Sequence, residues 1–227
     1  MTESTLTSLL IVDDHPLFRK GVKQLLSDAG GFELVGEASS GEEGIDLAYR
    51  YQPELILLDL NMKDMHGLDV LKVLKAADID SRIIMLTVSD QQEDLVAALR
   101  AGADGYLLKD MEPEDLVAKL FEAASGQLVL SPTLAGLLIH AMRQEAKPKS
   151  MDEAGLTEQE RKIIERISAG KSNKLIARDL NIAEGTVKVH VKHLLKKLGL
   201  KSRVEAAVWA VERQRKNPLN STAVKIL

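Results

Sequence analysis

The sequence predicts an α/β domain followed by an all-α domain. Over the first 125 residues, short leucine-rich or β-branched runs alternate with amphipathic segments, which is typical of a doubly wound parallel sheet with helices on both faces. From residue 156 onwards the hydrophobic pattern is helical, with short polar or glycine breaks. The net charge also changes sign: there are 14 Lys and Arg against 25 Asp and Glu up to Ser150, and 16 against 9 after it. We therefore expect the second domain, and not the first, to meet a polyanion.

Five strands and five helices are predicted in order along the α/β domain, residues 1–128. Each strand is a short apolar run, and a glycine follows several of the helices as a stop signal. The predicted strands are Ser8–Val12, Phe32–Ala38, Leu55–Leu58, Arg82–Leu86 and Gly105–Leu108. The predicted helices are Pro16–Asp28, Gly41–Tyr51, Leu68–Ala77, Gln91–Ala101 and Pro113–Ser125.

A linker and four short helices are predicted after this domain. Residues 129–155 contain one helical pattern that begins near Pro132, followed by a polar stretch without a clear period. Residues 156–216 form the all-α domain, and residues 217–227 form a tail. The predicted helices of the all-α domain are Thr157–Ala169, Asn173–Leu180, Glu184–Leu198 and Ser202–Arg215. Thr157 and Glu160 have the spacing of a capping box, which marks the start of the first of them.

The composition excludes several classes of protein and site. The chain has 227 residues, of which 45% are hydrophobic, and this is enough for two cores. It contains no cysteine, which excludes disulfides and thiolate zinc sites. No apolar run approaches the roughly 20 residues of a membrane-spanning helix, and the N-terminus lacks the layout of a secretory signal. We therefore expect a cytoplasmic protein without a membrane partner.

Acidic residues collect where the predicted strands end. Asp13 and Asp14 directly follow the first strand, and Asp59 follows the third. Because the carboxyl ends of parallel strands meet at one edge, with neighbouring strands about 4.8 Å apart, these carboxylates are expected to repel one another. Mg²⁺ would remove that repulsion, since it prefers oxygen ligands, and the backbone carbonyl of Asn61 would be a further ligand. The alternative is that Asp13 and Asp14 only cap the first helix.

A carboxylate in such a cluster can also accept a phosphoryl group. Asp59 is the predicted nucleophile, and Lys109 after the fifth strand would stabilise charge on the transferring oxygens together with the cation. The hydroxyl of Thr87, at the end of the fourth strand, would bond the attached group, and Tyr106 would take part in the accompanying rearrangement. His15 neighbours the acidic pair without an assigned role.

These residues resemble the signature of bacterial two-component receiver domains. The similarity lies in Ile11–His15, Leu57–Met62, Thr87 and Leu108–Lys109, and it extends over about residues 8–125. The resemblance implies the strand order 2-1-3-4-5, a sensor histidine kinase as phosphoryl donor and loss of the phosphoryl group by hydrolysis. Receivers usually have proline where this chain has Lys63, which predicts a less rigid loop. This departure leaves the exact shape of the loop and the lifetime of the phosphoryl group open, but not the identity of the acceptor.

Two helices of the all-α domain have the layout of a helix-turn-helix. Asn173–Leu180 is followed by a short polar turn and by Glu184–Leu198, whose outer face is expected to enter a DNA major groove about 12 Å wide. Apolar residues at helical spacing are expected to face the core: Val187, Val191, Leu194 and Leu198. The residues expected to contact bases are Lys188, Val189 and Lys192, and those expected to contact phosphates are Thr186, Lys196, Lys201 and Arg203. The alternative is an ordinary solvated helix face.

The all-α domain resembles the DNA-binding domain shared by quorum-sensing regulators and a large subfamily of response regulators. The similarity covers residues 156–213. Three further runs are particularly similar to the nitrate/nitrite-responsive regulators of that subfamily, namely Tyr106–Asp115, Thr186–His193 and Lys201–Trp209. The resemblance implies a homodimer on DNA, with the helix around Ser202–Arg215 as the dimer contact.

The sequence as a whole predicts a transcriptional regulator and not an enzyme. We expect Asp59 to take up one phosphoryl group stoichiometrically, with at most autodephosphorylation, and this uptake to release the DNA-reading helix from masking by the first domain. The expected partners are double-stranded DNA, a sensor histidine kinase and a second copy of the chain, with RNA polymerase as a candidate. Two alternatives stay open: a Mg²⁺-dependent aspartyl-phosphate phosphatase, and a phosphorelay or protein-binding adaptor. The phosphatase chemistry needs a second acid two residues beyond Asp59, where this chain has Asn61.

Overall fold

A parallel five-stranded sheet forms the centre of the first domain. Its strands are β1 (Thr7–Val12), β2 (Phe32–Ala38), β3 (Leu55–Asp59), β4 (Arg82–Thr87) and β5 (Gly105–Leu108). They lie in the order β2-β1-β3-β4-β5, which confirms the predicted fold class and strand order. The computed structural model describes residues 6–77, 79–88, 92–130, 136 and 154–216 of the chain. Apart from residue 136, the helix expected near Pro132 falls outside the described residues, and so does the tail 217–227.

Five helices connect and cover these strands. They are α1 (Pro16–Ala29), α2 (Gly41–Tyr51), α3 (Gly67–Ala76), α4 (Gln92–Ala101) and α5 (Pro113–Ala124). A proline begins α1 and α5, because a missing N–H is tolerated at the first helical position. The hydroxyl of Ser40 accepts a hydrogen bond from the backbone of Glu43 and so caps α2. Every predicted strand and helix of this domain agrees with the structure to within one residue at each end.

The central strands supply the core of the first domain. All five residues of β3 are buried, since β1 and β4 flank it and helices cover the sheet. One hydrophobic cluster joins the sheet to α1 and α5, and it includes Leu9, Leu57, Leu86, Val22 and Leu120. The polar residues that follow the strands are therefore attached to a closely packed core.

The described part of the second domain, residues 154–216, contains four helices. The chain divides into two compact units, Met1–Leu138 and Ile139–Leu227, and each is described by itself. The helices of the second unit are α6 (Glu158–Ser168), α7 (Asn173–Leu180), α8 (Glu184–Leu198) and α9 (Arg203–Lys216). Of the α8 residues expected in the core, Val187, Leu194 and Leu198 are fully buried, whereas Val191 is only partly buried. Within the described ranges, no helix is long and apolar enough to cross a membrane.

A capping box begins α6, as the spacing of Thr157 and Glu160 predicts. The hydroxyl of Thr157 accepts a hydrogen bond from the Glu160 backbone at 3.2 Å, and the Glu160 carboxylate accepts one from the Thr157 backbone at 2.8 Å. The same carboxylate is buried and accepts a bond from Lys197 on α8 at 2.8 Å. Burial alone would raise the pKa of Glu160, but the bonds from Lys197 and Thr157 hold it below the ordinary value of 4.5. One side chain thus joins the start of α6 to the end of α8.

Glu160→Ala is expected to destabilise the second unit by about 2 kcal/mol, because it removes both a helix cap and the partner of Lys197. Since the pKa of Glu160 is lowered by folding, its contribution is present above the ordinary carboxyl pKa and is lost as the pH falls through the lower folded pKa. Glu160→Gln keeps the cap, so we expect a smaller loss of stability and loss of this pH dependence. Urea unfolding at several pH values, followed by the fluorescence of the single tryptophan, Trp209, measures both effects. Equal stability of Glu160→Ala and of the exposed control Glu158→Ala would contradict the prediction.

Candidate functional site

Three carboxylates converge at the carboxyl ends of β1 and β3. Val12 pairs with Leu58 in the parallel register, so the residues that follow them, Asp13 and Asp59, are also neighbours. Asp13 and Asp59 are buried, and the side chain of Asp14 is only 10% exposed. One ligand atom from each of these residues and from His15 lies within 4.8 Å of all the others. The structure thus brings together the acidic residues that the sequence predicts at this edge of the sheet.

Lys109 is the counter-ion of this carboxylate cluster. Its Nζ lies 2.7 Å from Asp13 Oδ2 and 2.8 Å from Asp59 Oδ2. Its backbone N–H donates a hydrogen bond to the carbonyl of Thr87, which holds the end of β5 beside β4. The ring of Phe18, on α1, lies 4.9 Å from Nζ in a cation–π arrangement. Lys109 pairs with two of the three carboxylates, so the cluster favours a further cationic group close to Asp14.

Several oxygens of the carboxylate cluster have no hydrogen-bond donor in suitable geometry within the part of the chain that the structure describes. They are Asp13 Oδ2, Asp59 Oδ2 and both side-chain oxygens of Asp14. The ammonium of Lys109 offsets the charge of the first two, whereas the described ammonium beside Asp14 Oδ2 is more distant, with Lys63 Nζ at 3.9 Å. Buried oxygens carry a desolvation penalty unless a donor or a cation meets them. This set of oxygens therefore fits a hard divalent cation such as Mg²⁺.

Thr87 and Asn61 lie beside Asp59. The backbone N–H of Asn61 donates to Asp59 Oδ1 at 3.3 Å, and its side-chain amide donates to Thr87 Oγ1 at 3.4 Å. Burial raises the pKa of Tyr106 to about 12, while an interaction with the Thr87 hydroxyl opposes the rise and Asp94 adds to it. The phenol is therefore neutral at physiological pH, and it makes no hydrogen bond of ordinary geometry with any described residue. Asp59, Asn61, Thr87 and Tyr106 form one continuous set of neighbours.

The loop after β3 is tied to α2. Lys63, which stands where receivers usually have proline, is 90% exposed at its side chain. The next residue, Asp64, accepts a hydrogen bond from the backbone N–H of Gly41 at 2.8 Å. Because Gly41 is the first residue of α2, Asp64 also places a negative charge at a helix N-terminus, where it is stabilising. This contact supports the loop at the position next to the missing proline.

Gly67 fixes the other end of this loop. Its backbone N–H donates to the carbonyl of Leu60 at 2.8 Å, and it begins α3. The two segments approach so closely that a Cβ atom at Gly67 would lie 2.1 Å from the backbone carbonyl oxygen of Asp59. Only glycine allows this approach. Sequence reasoning gave Gly67 no role, because nothing in the local pattern indicates which backbone it meets.

The start of α1 also contacts the carboxylate cluster. His15 Nδ1 lies 2.9 Å from Asp14 Oδ1 and 3.1 Å from Asp13 Oδ1. Arg19 donates a hydrogen bond from its guanidinium to the backbone carbonyl of Asp13. His15, Phe18 and Arg19 are spaced i, i+3 and i+4, so they share one face of the helix. No role is predicted for these three residues from the sequence, although their spacing beside the acidic pair can be read from it.

The helix α8 presents the residues that are expected to contact DNA bases and two of the four that are expected to contact phosphates. Val189 is 52% exposed, Lys192 is exposed and Lys188 is partly exposed. Thr186 and Lys196, predicted to contact phosphates, are exposed as well. The tight turn before α8 contains Asn181 in the left-handed conformation, with φ of 53°. The arrangement is a helix-turn-helix whose second helix has an exposed, basic outer face.

The two remaining predicted phosphate contacts follow α8. Lys201 is exposed. Arg203 donates a hydrogen bond to the side chain of Asn173 at 2.8 Å and another to the backbone carbonyl of Lys171. Arg203 therefore ties the start of α9 to the start of α7, a role that the sequence did not predict. Its contact with phosphate stays a prediction.

Comparisons with known proteins agree with this architecture. Residues 9–121 match the family described as response regulator receiver domain, and residues 154–210 match the family described as bacterial regulatory proteins, luxR family. The nitrate/nitrite response regulator protein NarL of Escherichia coli is 53% identical over 209 residues, which cover 92% of this chain and 97% of the relative. The chain belongs to the luxR family of response regulators.

A further relative of this response regulator is similar over both domains, and a solved structure is similar to its first domain. The nitrate/nitrite response regulator protein NarP of Escherichia coli is 45% identical over 216 residues, which cover 94% of this chain and 99% of the relative. The isolated REC domain of RcsB from Salmonella enterica serovar Typhimurium was solved in the presence of the phosphomimetic BeF₃⁻. It is 26% identical, with a TM-score of 0.54, and the match covers 59% of this chain and 99% of that structure. The predicted family is confirmed.

Proposed function

We propose that this response regulator is a DNA-binding transcriptional regulator that is activated by phosphorylation of Asp59. The observation that carries the proposal is the position of Asp59. Its carboxylate is buried at the carboxyl end of β3, beside Asp13 and Asp14 and 2.8 Å from the ammonium of Lys109. A second unit with an exposed basic helix-turn-helix supplies the output.

The residues around Asp59 suit the uptake of a phosphoryl group. A carboxylate oxygen of Asp59 attacks phosphorus, the bond between phosphorus and the leaving group of the sensor histidine kinase breaks, and an aspartyl phosphate forms. Lys109 orients the carboxylate before transfer and stabilises the charge of the phosphoryl oxygens after it. The hydroxyl of Thr87 donates a hydrogen bond to the attached group. Because Tyr106 interacts with Thr87, a change at Thr87 alters the packing of the ring.

The carboxylate cluster is proposed to hold Mg²⁺ through Asp13, Asp14, Asp59 and the backbone carbonyl of Asn61. Receiver domains generally bind Mg²⁺ at an acidic pocket, and the Asp14 oxygens, which accept no hydrogen bond of suitable geometry from a described residue, fit that use. When bound, the cation offsets negative charge on the carboxylates and the phosphoryl group. The chain's own residues bind and orient both groups.

The proposed role is that of a stoichiometric phosphoacceptor with at most autodephosphorylation. A phosphatase that works through an aspartyl phosphate needs a general acid two residues beyond the nucleophile. Asn61 stands there, and its amide is engaged with Thr87. The homologues named above are regulators by name, which also favours the non-enzymatic role.

Double-stranded DNA is the proposed ligand of the second unit. Lys188, Val189 and Lys192 would contact bases, and Thr186, Lys196, Lys201 and Arg203 would contact phosphates. A homodimer on DNA, with RNA polymerase as a candidate partner, completes the proposal. The names of the relatives suggest nitrate or nitrite as the signal. The opposite charges of the two halves of the chain support masking of α8 by the receiver before phosphorylation.

Footprinting on DNA selected by the protein, with and without a small phosphoryl donor, tests this function. The donor is expected to increase protection of the DNA by the wild type and to leave protection by Asp59→Asn unchanged. Asp69→Asn is the matched control, because Asp69 is an exposed carboxylate that pairs with Lys72 on α3. It should respond to the donor as the wild type does. Mass spectrometry is expected to find an acyl phosphate at Asp59, and a donor response that persists in Asp59→Asn would refute the assignment.

A further inference from the structure

His15 belongs to the carboxylate cluster but has no part in the proposed phosphoryl transfer. Its Nδ1 lies 2.9 Å from Asp14 Oδ1, 3.1 Å from Asp13 Oδ1 and 3.7 Å from Asp59 Oδ2. These oxygens come from three different carboxylates, so the ring nitrogen points into the centre of the cluster. The side chain is 59% exposed, and it therefore stands between the buried oxygens and solvent.

The imidazole of His15 is held in this position by its own backbone. Its N–H donates to Asp13 Oδ1 at 2.8 Å, and its carbonyl accepts the first helical bond of α1 from Arg19 at 3.2 Å. Pro16, the next residue, restricts the chain further. The nitrogen is thus close to the carboxylates before any ion arrives, which lowers the cost of ordering a ligand.

The distances also suit metal coordination. In an octahedral site with bonds of about 2.1 Å, adjacent ligand atoms are about 3.0 Å apart. The separations of His15 Nδ1 from the Asp14 and Asp13 oxygens, 2.9 and 3.1 Å, have this length. Neither side-chain oxygen of Asp14 accepts a hydrogen bond of suitable geometry from a described residue, although His15 Nδ1 lies 2.9 Å from Oδ1, so both oxygens are suited to be ligands.

We infer that His15 supplies an imidazole nitrogen to the cation site, so that the site binds transition-metal dications such as Ni²⁺ and Zn²⁺ more tightly than Mg²⁺. Imidazole is a good ligand for Ni²⁺ and Zn²⁺, whereas Mg²⁺ is bound by carboxylates, carbonyls and water. The inference rests on the proposed function only in that both use the same carboxylates. His15 then determines which dications occupy the phosphoryl-acceptor site.

Isothermal titration calorimetry of the full-length protein with NiCl₂, ZnCl₂ and MgCl₂ tests the inference. We expect His15→Asn to weaken Ni²⁺ and Zn²⁺ binding about tenfold or more, since loss of even an outer-shell partner costs about 10- to 100-fold in metal affinity. Mg²⁺ binding should not change. The matched control is His66→Asn, because His66 also precedes a helix and is exposed but lies outside the cluster. Asn is a favourable N-cap at both positions, so both variants retain their helices.

A spectroscopic measurement separates coordination from a merely structural role. Pulsed electron paramagnetic resonance of bound Mn²⁺ is expected to show nitrogen hyperfine coupling in the wild type and in His66→Asn, and to lose it in His15→Asn. The wild type and both variants contain His190 and His193, so weak metal binding by these two residues contributes equally to all three measurements.

The remaining outcomes overturn the inference in distinguishable ways. Equal Ni²⁺ affinity without nitrogen coupling refutes it, while Mg²⁺ binding and phosphorylation of Asp59 still stand. An increase in the affinity of all three dications in His15→Asn refutes it as well, since His15 would then compete with the cation for the carboxylates. Absence of binding of every dication to the wild type refutes both the inference and the proposed Mg²⁺ site.

Discussion

Lys109→Met is expected to destabilise the first unit by about 3 kcal/mol and to abolish the phosphorylation-dependent increase in DNA binding. The ammonium group pairs with Asp13 and Asp59, and none of the three side chains is more than 8% exposed. Its removal leaves two buried carboxylates side by side without that counter-charge. Methionine keeps the apolar stem that packs near Phe18, so the variant loses charge with little change in volume.

Hydrogen exchange of the β3 amides measures this loss, because those amides lie in the core of the first unit. Trp209 fluorescence reports the second unit and should not change. The matched control is Lys119→Met, which breaks a partly exposed pair with Glu122 on α5 and is expected to cost less than about 1 kcal/mol. Mg²⁺ should stabilise Lys109→Met more than the wild type, since the cation replaces the missing charge. Unchanged exchange in Lys109→Met would show that the ammonium is not the required counter-charge.

The backbone architecture and the acidic part of the site could be predicted because each has a strong local signal. The apolar runs that became β1 and β3 stop abruptly at Asp13 and Asp59, and parallel pairing then places both residues at one edge. The position of Lys109 follows in the same way, because it comes directly after β5. In these cases the sequence position of a residue determines where it lies in the sheet.

Side-chain direction and long-range backbone contacts could not be predicted in this way. Arg203 has the charge expected of a phosphate contact. Its guanidinium instead donates hydrogen bonds to the side chain of Asn173 and to the backbone carbonyl of Lys171, which lie 30 and 32 residues earlier in the sequence. His15 was visible beside the acidic pair, but the direction of its ring depends on the first turn of α1. Such features depend on which segments meet in the folded chain, and hydrophobic periodicity carries no information about them.

The rigidity of the loop around Lys63 could not be predicted from the sequence for the same reason. Loss of the usual proline predicts a less rigid segment, since proline restricts the backbone of the unfolded and folded chain alike. The structure adds two restraints that do not depend on position 63, the bond from Gly41 to Asp64 and the bond from Gly67 to Leu60. The effect of Lys63 on the lifetime of the phosphoryl group is therefore expected to depend on its charge near Asp14 as well as on rigidity.

Gly67→Ala is expected to destabilise the first unit by about 2 kcal/mol or more and to slow phosphorylation of Asp59. The added Cβ would lie 2.1 Å from the carbonyl oxygen of Asp59 and 2.9 Å from the Cα of Leu60. Both contacts are with backbone atoms, which cannot move aside by rotating as the tip of a side chain does. Either α3 or the end of β3 must shift, and a shift of β3 moves the Asp59 carboxylate away from Lys109.

Gly21→Ala is the matched control, and its expected effect has the opposite sign. Gly21 is exposed within α1, and apart from its chain neighbours and the backbone of its own helix no atom of the described residues lies within 4 Å of a Cβ built there. Alanine in an open helix interior is expected to stabilise the first unit by about 0.5–1 kcal/mol. Hydrogen exchange of the β3 amides and the rate of acyl-phosphate formation, measured on both variants, separate the steric effect from a general effect of replacing glycine. Equal stability and equal phosphorylation rates of Gly67→Ala and Gly21→Ala would contradict the prediction. The end of β3 would then tolerate displacement, and the close approach of α3 would not be needed to position Asp59.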